Sequence, residues 1–197
     1  MNKSSRFYVL LMLFMPFLAS CSLDSEKRRA ATENVPASYA EGAVHIQLTA
    51  EPGLNAWKEM PNSLAVIVVQ GANKLQLENV LNNQSELRAL FNGAAMPESI
   101  LKVDRYMLMP GQQHTLHIDR AENVRQVAVV AGYYPFPESQ HIARFAIPVA
   151  VTKKHWWSAK VDAQLAPLQV ALTLGNSSIV RINGADNLHS SQPQEVN

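Results

Sequence analysis

Cysteine is almost absent from this chain: of its 197 residues, Cys21 alone carries a thiol. A single cysteine forms no disulfide within the chain and builds no thiolate zinc site, so neither staple is available to the fold. Charge is also sparse. Charged residues make up 17% and the formal net charge is +1, too weak a field to hold a nucleic-acid backbone, so nucleic acid is not an expected partner. Long apolar runs are missing as well. The greasiest stretch, residues 7–19 (FYVLLMLFMPFLA), has 13 residues with Pro16 near its end, whereas a spanning helix needs about 20. There is no G-x-S-x-G elbow, no H-E-x-x-H, no G-x-G-x-x-G after a strand and no phosphate loop. These absences lead us to expect no enzyme, no cofactor, no metal and no small-molecule substrate.

What the amino terminus does contain is a basic start, Lys3 and Arg6, followed by that short apolar run. The combination reads as a secretory signal over residues 1–20. Leu18-Ala19-Ser20-Cys21 resembles the lipobox of bacterial lipoproteins. The resemblance implies that Cys21 becomes the first mature residue and carries a diacylglycerol thioether and an amide-linked acyl chain. Several acyl chains on one residue anchor stably where one would not. The alternative is an ordinary secretory signal with a chance cysteine near its cleavage site. Ser22, in place of the Asp that favours inner-membrane retention in Gram-negative lipoproteins, points to the outer membrane.

Residues 21–43 are polar and without apolar periodicity, and read as a lipidated flexible tether. A domain is expected over 44–184 and a disordered tail over 185–197. With 47% hydrophobic residues the chain can build one sizeable core. VHIQLTA from Val44 alternates apolar and polar residues, the period of a half-buried strand, and LAVIVVQ (64–70) is a β-branched run suited to a buried one. Between 74 and 92 the period becomes helical, with Leu77, Val80 and Leu81 in one stripe and Leu87, Leu90 and Phe91 in another. Asn82-Asn83-Gln84-Ser85 interrupts it, giving either two short helices, the second capped at Ser85, or one bent helix. Strand-like runs flank Pro110-Gly111, a pair suited to a type II turn. Further strands are expected in NVRQVAVVAGYY, in RFAIPVAV with Phe145, Ile147, Val149 and Val151 on one face, in LQVALTLG and in SIVRI. Pro148 favours an edge position for the second of these. Seven or eight strands with one helical insertion make an all-β fold, an antiparallel β-sandwich.

Six histidines invite a search for a metal or a general base. His114 and His117, three apart on a strand, point to opposite faces, and His45 should face outward. His141, His155 and His189 fall in loops or the tail and read as solvated. Two apolar features stand out as contact sites. In the long loop 51–63, Leu54, Trp57 and Met60 stand among turn residues, either as interface anchors or folded back onto the sandwich edge. The second is His155-Trp156-Trp157, where one ring more simply packs inward.

Taken in order, the lipobox, the tether, the first strand, a Leu-Asn and Pro-containing loop into a Val-rich strand ending near Gln70, Leu90-Phe91, Pro110-Gly111 and Val129-Val130-Ala131-Gly132-Tyr133 resemble the TssJ (VasD/SciN) lipoproteins of type VI secretion systems. The resemblance implies a transthyretin-like β-sandwich with an added helical segment, lipid-anchored at the outer membrane and facing the periplasm. It implies a partner, the periplasmic carboxy-terminal domain of TssM, within a membrane complex that also contains TssL. It further implies contact through the loop between the first two strands, here Glu51, Gly53, Leu54, Asn55, Trp57, Met60 and Pro61. The rival readings are a pilotin or hydrolase-inhibitor lipoprotein of the outer membrane, and a lipid-anchored enzyme whose carboxylates meet only in the fold.

Overall fold

The computed structural model describes residues 34–134, 138–153 and 161–184, with backbone alone at 152–153 and 161–162. In chain order come β1 (Ala40–Ala50), β2 (Leu64–Gly71), α1 (Lys74–Asn82), α2 (Gln84–Phe91), β3 (Ile100–Leu108) and β4 (Gln113–Arg120). There follow β5 (Gln126–Ala131), a 3-10 turn (Ser139–His141), β6 (Ile142–Ala146), β7 (Val149–Lys153), β8 (Val161–Leu165), β9 (Leu168–Leu174) and β10 (Ile179–Gly184). Two four-stranded sheets, β10-β9-β1-β4 and β3-β2-β5-β6, make the sandwich. The fold is all-β with a short helical insertion, as expected.

Strand alternation sets the core. Val44, Ile46 and Leu48 of β1 and Leu116 and Ile118 of β4 point inward against Val66, Val68, Val127, Val129 and Phe145 of the other sheet. The intervening residues of that second sheet are apolar too, and the helices explain why. Ile67, Val69, Ala128 and Val130 face outward and are covered by Leu77, Val80 and Leu81 of α1 and Leu87 and Leu90 of α2. β2 is therefore buried on both faces, which accounts for its unbroken apolar run. On the same face the buried Arg144 of β6 is paired with Glu78 of α1, Nε to Oε1, at 2.9 Å.

Several expectations need correction. The helices are two, but the second is capped by Asn83 and not Ser85: the Asn83 side chain accepts from the N–H groups of Ser85 and Glu86, at 3.1 and 3.3 Å. RFAIPVAV is not one strand. Pro148 has no N–H to give a ladder, so β6 ends at Ala146 on the sheet edge and β7 starts at Val149. β7 and β8 form a two-stranded sheet of their own, outside the compact unit that holds Pro36–Pro148 with β9 and β10. The sandwich is also not wholly antiparallel, because β1 and β9 pair in parallel, Val44 with Leu168 through Ala50 with Leu174. Ten strands are thus present among the described residues.

The hairpin between β3 and β4 turns on Pro110-Gly111 as expected. Gly111 has φ +74 at the third turn position, where a type II turn requires the left-handed region, and Gln112 N–H donates to Met109 O at 3.1 Å. At the other end of β4, Asp119 holds the start of β1. Its carboxylate accepts from Tyr39 Oη and from the Gly42 N–H, each at 2.8 Å.

Candidate functional site

The loop from β1 to β2 begins where the sheet leaves it. Glu51 N–H donates to Leu174 O at 2.9 Å, and Glu51 O accepts from Leu54 N–H at 3.0 Å and Gly111 N–H at 3.2 Å. Leu54 is the loop's own anchor. Its side chain is fully buried among core residues, so of the two readings open for it the inward one holds. Asn55, with φ +47, turns the chain away from the core in a left-handed conformation that asparagine tolerates. Its side-chain N–H donates to Ser63 O at 2.8 Å, and the Asn62 side chain donates to Met60 O at 2.8 Å, closing the base of the loop.

The tip is a two-residue hairpin. Trp57 and Met60 exchange backbone hydrogen bonds of 2.9 and 3.0 Å around Lys58 and Glu59, whose φ values of 48° and 66° are those of a type I′ turn. Neither is glycine, asparagine or aspartate, so each carries roughly 1–2 kcal/mol of left-handed strain. The arrangement stands Trp57 and Met60 side by side, with 57% and 64% of their surface exposed. The Trp57 and Tyr134 rings meet edge to face, 5.6 Å between centroids and 86° between planes, and Tyr134 is itself 74% exposed.

A cleft of about 620 Å³ opens beside this pair, walled by Asn55, Trp57, Met60 and Asn62 on one side and by Tyr133, Tyr134, Asn176 and Ser177 on the other. Two buried rings hold the second wall. The Tyr133 hydroxyl reaches Gly175 O and Ser178 O, each at 3.0 Å, so one proton is shared across the ends of the β9–β10 turn. His141 corrects the expectation of a solvated histidine: it is buried, its ring 5.0 Å from that of Tyr133. Its Nδ1 accepts from the Glu138 N–H at 3.0 Å, so Nε2 carries the proton and donates to Ser177 O at 2.9 Å. The first wall is tied to the same turn by Asn55 N–H to Gly175 O, 3.3 Å, and Ala56 N–H to Asn176 O, 3.1 Å. Burial first, and the Glu51 carboxylate second, push the Tyr133 phenol well above the usual tyrosine range.

Chemically the cleft offers amides, hydroxyls, two exposed aromatic rings and a thioether. Such a lining suits contact with another protein surface. Among the described residues no three metal-ligating side chains come together, and no helix is long and apolar enough to cross a membrane.

The sequence pattern of the family described as type VI secretion lipoprotein, VasD, EvfM, TssJ, matches residues 42–173. The chain belongs to this family. Its members are structural lipoproteins of a secretion system and not enzymes. No curated protein matches the chain. The fold is shared with the type VI lipoprotein TssJ1 from Pseudomonas aeruginosa, at TM-score 0.50 and 18% identity over 77% of this chain and 98% of that one. It is shared with Lip of Serratia marcescens, a membrane-bound component of the same kind of system, at TM-score 0.52 and 18% identity over 74% and 97%. A chain from the structure of the TssM C-terminal domain of EAEC gives TM-score 0.51 and 12% identity over 72% and 98%.

Of the loop residues singled out in the sequence, Glu51, Trp57, Met60 and Pro61 are exposed, Gly53 and Asn55 are half-buried and Leu54 is core. Tyr134, Asn176 and Ser177 on the opposite wall escape sequence reasoning. The one signal for them is Gly132-Tyr133-Tyr134 directly after a buried strand, a pair of large rings where the sheet ends. Cys21, His155-Trp156-Trp157 and His189 lie outside the described residues.

Proposed function

We propose that this lipoprotein is anchored in the outer membrane through acylated Cys21 and binds the periplasmic carboxy-terminal domain of TssM, tying the secretion system's membrane complex, with its TssL component, to that membrane. Membership of the type VI secretion lipoprotein family supplies the machine. The observation that carries the contact is the exposed Trp57, Met60 and Tyr134 cluster beside the cleft, large apolar side chains held outward by a strained turn and a hydrogen-bonded base. Exposed aromatic and methionine side chains on a fixed frame are the usual centres of binding energy. Confinement to a membrane surface then raises the effective concentration of that cluster near a partner rising from the other membrane. The work is attachment and not turnover.

Titration calorimetry with the TssM periplasmic domain tests the contact. Trp57→Ala leaves the fold intact and costs about 2 kcal/mol or more of binding, roughly thirtyfold in affinity. Unchanged affinity in both Trp57→Ala and Tyr134→Ala would remove the cleft from the interface. Recovery of a secretin or a cell-wall hydrolase without TssM, in pull-downs from detergent-solubilised envelopes, would favour the pilotin or inhibitor reading.

A further inference from the structure

The outward face of the β10-β9-β1-β4 sheet carries a pair of histidines that the secretion role leaves unused. Antiparallel register places His45 of β1 opposite His117 of β4, with ring centroids 4.7 Å apart and planes at 75°. Gln169 of β9 stands beside His45 in the parallel register, and Gln47 faces Thr115 on a neighbouring rung. On the side of His45 away from His117 lies a shallow recess of about 360 Å³, whose polar lining is His45, Gln47, Thr115, Gln169 and Asn183. Among the described residues neither imidazole has a hydrogen-bond partner, so no ring nitrogen of the pair is committed within the fold. This is unlike His141, whose two nitrogens are both engaged.

We infer that His45 and His117 form a two-imidazole site for a borderline divalent first-row ion, Zn²⁺ or Cu²⁺. Neutral imidazole is a ligand of choice for these ions, and two of them on adjacent strands reach one ion without rearranging the backbone. Asp119, two residues further along the same face of β4, is engaged by Tyr39 and Gly42, and no group of three metal-ligating side chains forms among the described residues, so the site rests on the two imidazoles. Water completes the coordination, with the amides of Gln47 and Gln169 placed to orient it. An ion held there bridges β1 to β4, and binding to the folded state alone raises stability by mass action.

The full chain, purified in detergent and stripped with a chelator, is titrated with Zn²⁺ by calorimetry and with Cu²⁺ by electron paramagnetic resonance. The expected result is one ion per chain at this site, an upward shift of the thermal midpoint with Zn²⁺, and nitrogen hyperfine structure from two imidazoles on Cu²⁺. His45→Gln and His117→Gln each weaken binding by more than about tenfold, as loss of one of two linked ligands requires, and abolish the thermal shift and the two-nitrogen signal. His114→Gln, on the other face of β4, changes none of these. Because both residues lie on the outer face, circular dichroism of the variants matches the parent. Undiminished binding in the double variant, or no thermal shift at saturating Zn²⁺, overturns the inference, and neither result bears on the TssM contact.

Discussion

Leu54 and Trp57 sit three positions apart in one loop and act in opposite directions. Leu54 pulls the loop into the core, and Trp57 offers a surface away from it. Their variants should separate accordingly. Leu54→Ala removes a fully buried side chain and costs about 3–5 kcal/mol of stability, measurable by urea unfolding, with binding lost because the loop comes adrift. Trp57→Ala leaves the unfolding midpoint in place and affects binding alone. Tyr133 adds a pH dependence. Its phenol is raised in the folded state by burial and by Glu51, so the folded chain resists forming the phenolate. That stabilisation is complete below the ordinary tyrosine pKa of about 10 and is lost as pH climbs through the raised folded value. Thermal melts across the alkaline range should show the midpoint falling, and Tyr133→Phe should blunt the fall. Asp119 gives the reverse case. The Gly42 N–H, and next the Tyr39 hydroxyl, hold its carboxyl below the usual range, so the clip on β1 is intact above that range and released as pH falls through the lowered value.

Elements show what a linear chain can and cannot reveal. The alternation of β1 and the apolar run of β2 announce themselves, because burial on one face or two writes directly into the residue pattern. The parallel pairing of β1 with β9 does not, since it joins segments more than a hundred residues apart. The same limit hides the histidine pair. Comparison along one strand separates His114 from His117, while cross-strand register, visible only in the fold, sets His117 against His45. Asn83 is a subtler miss: it lies within the interruption read from the sequence, but one residue serves both helices, ending α1 and capping α2. Asn83→Ala should cost about 1 kcal/mol through the cap of α2, read from denaturant midpoints. The tip hairpin predicts a gain instead. Replacing Lys58-Glu59 by Asn-Gly, the residues a type I′ turn prefers, should stabilise by about 1 kcal/mol or more while Trp57 and Met60 stay paired.

For the molecule as a whole, the proposed attachment at one end and the proposed contact at another are separable. Cys21→Ser should yield a chain that still binds the TssM domain in solution but fractionates with soluble periplasmic proteins and fails to support secretion. Detection of that variant in the outer membrane would refute the lipid anchor. The direction of β1 relates the two functions. The chain enters the sandwich at Ala40, and the loop that carries Trp57 departs from Ala50, at the far end of the same strand. The register shifts between Ala40 and Val44, where Gly42 has φ +55, and from Val44 the strand runs regularly for roughly 20 Å to Ala50 at about 3.3 Å per residue. Under the proposed anchor, leader and aromatic tip therefore join the sandwich at opposite ends of one strand, and the leader sets how far the tip can reach. Lengthening the leader would widen the volume swept by the aromatic tip, whereas moving the proposed lipid attachment to the β1–β2 side would hold the tip against the headgroups and silence it.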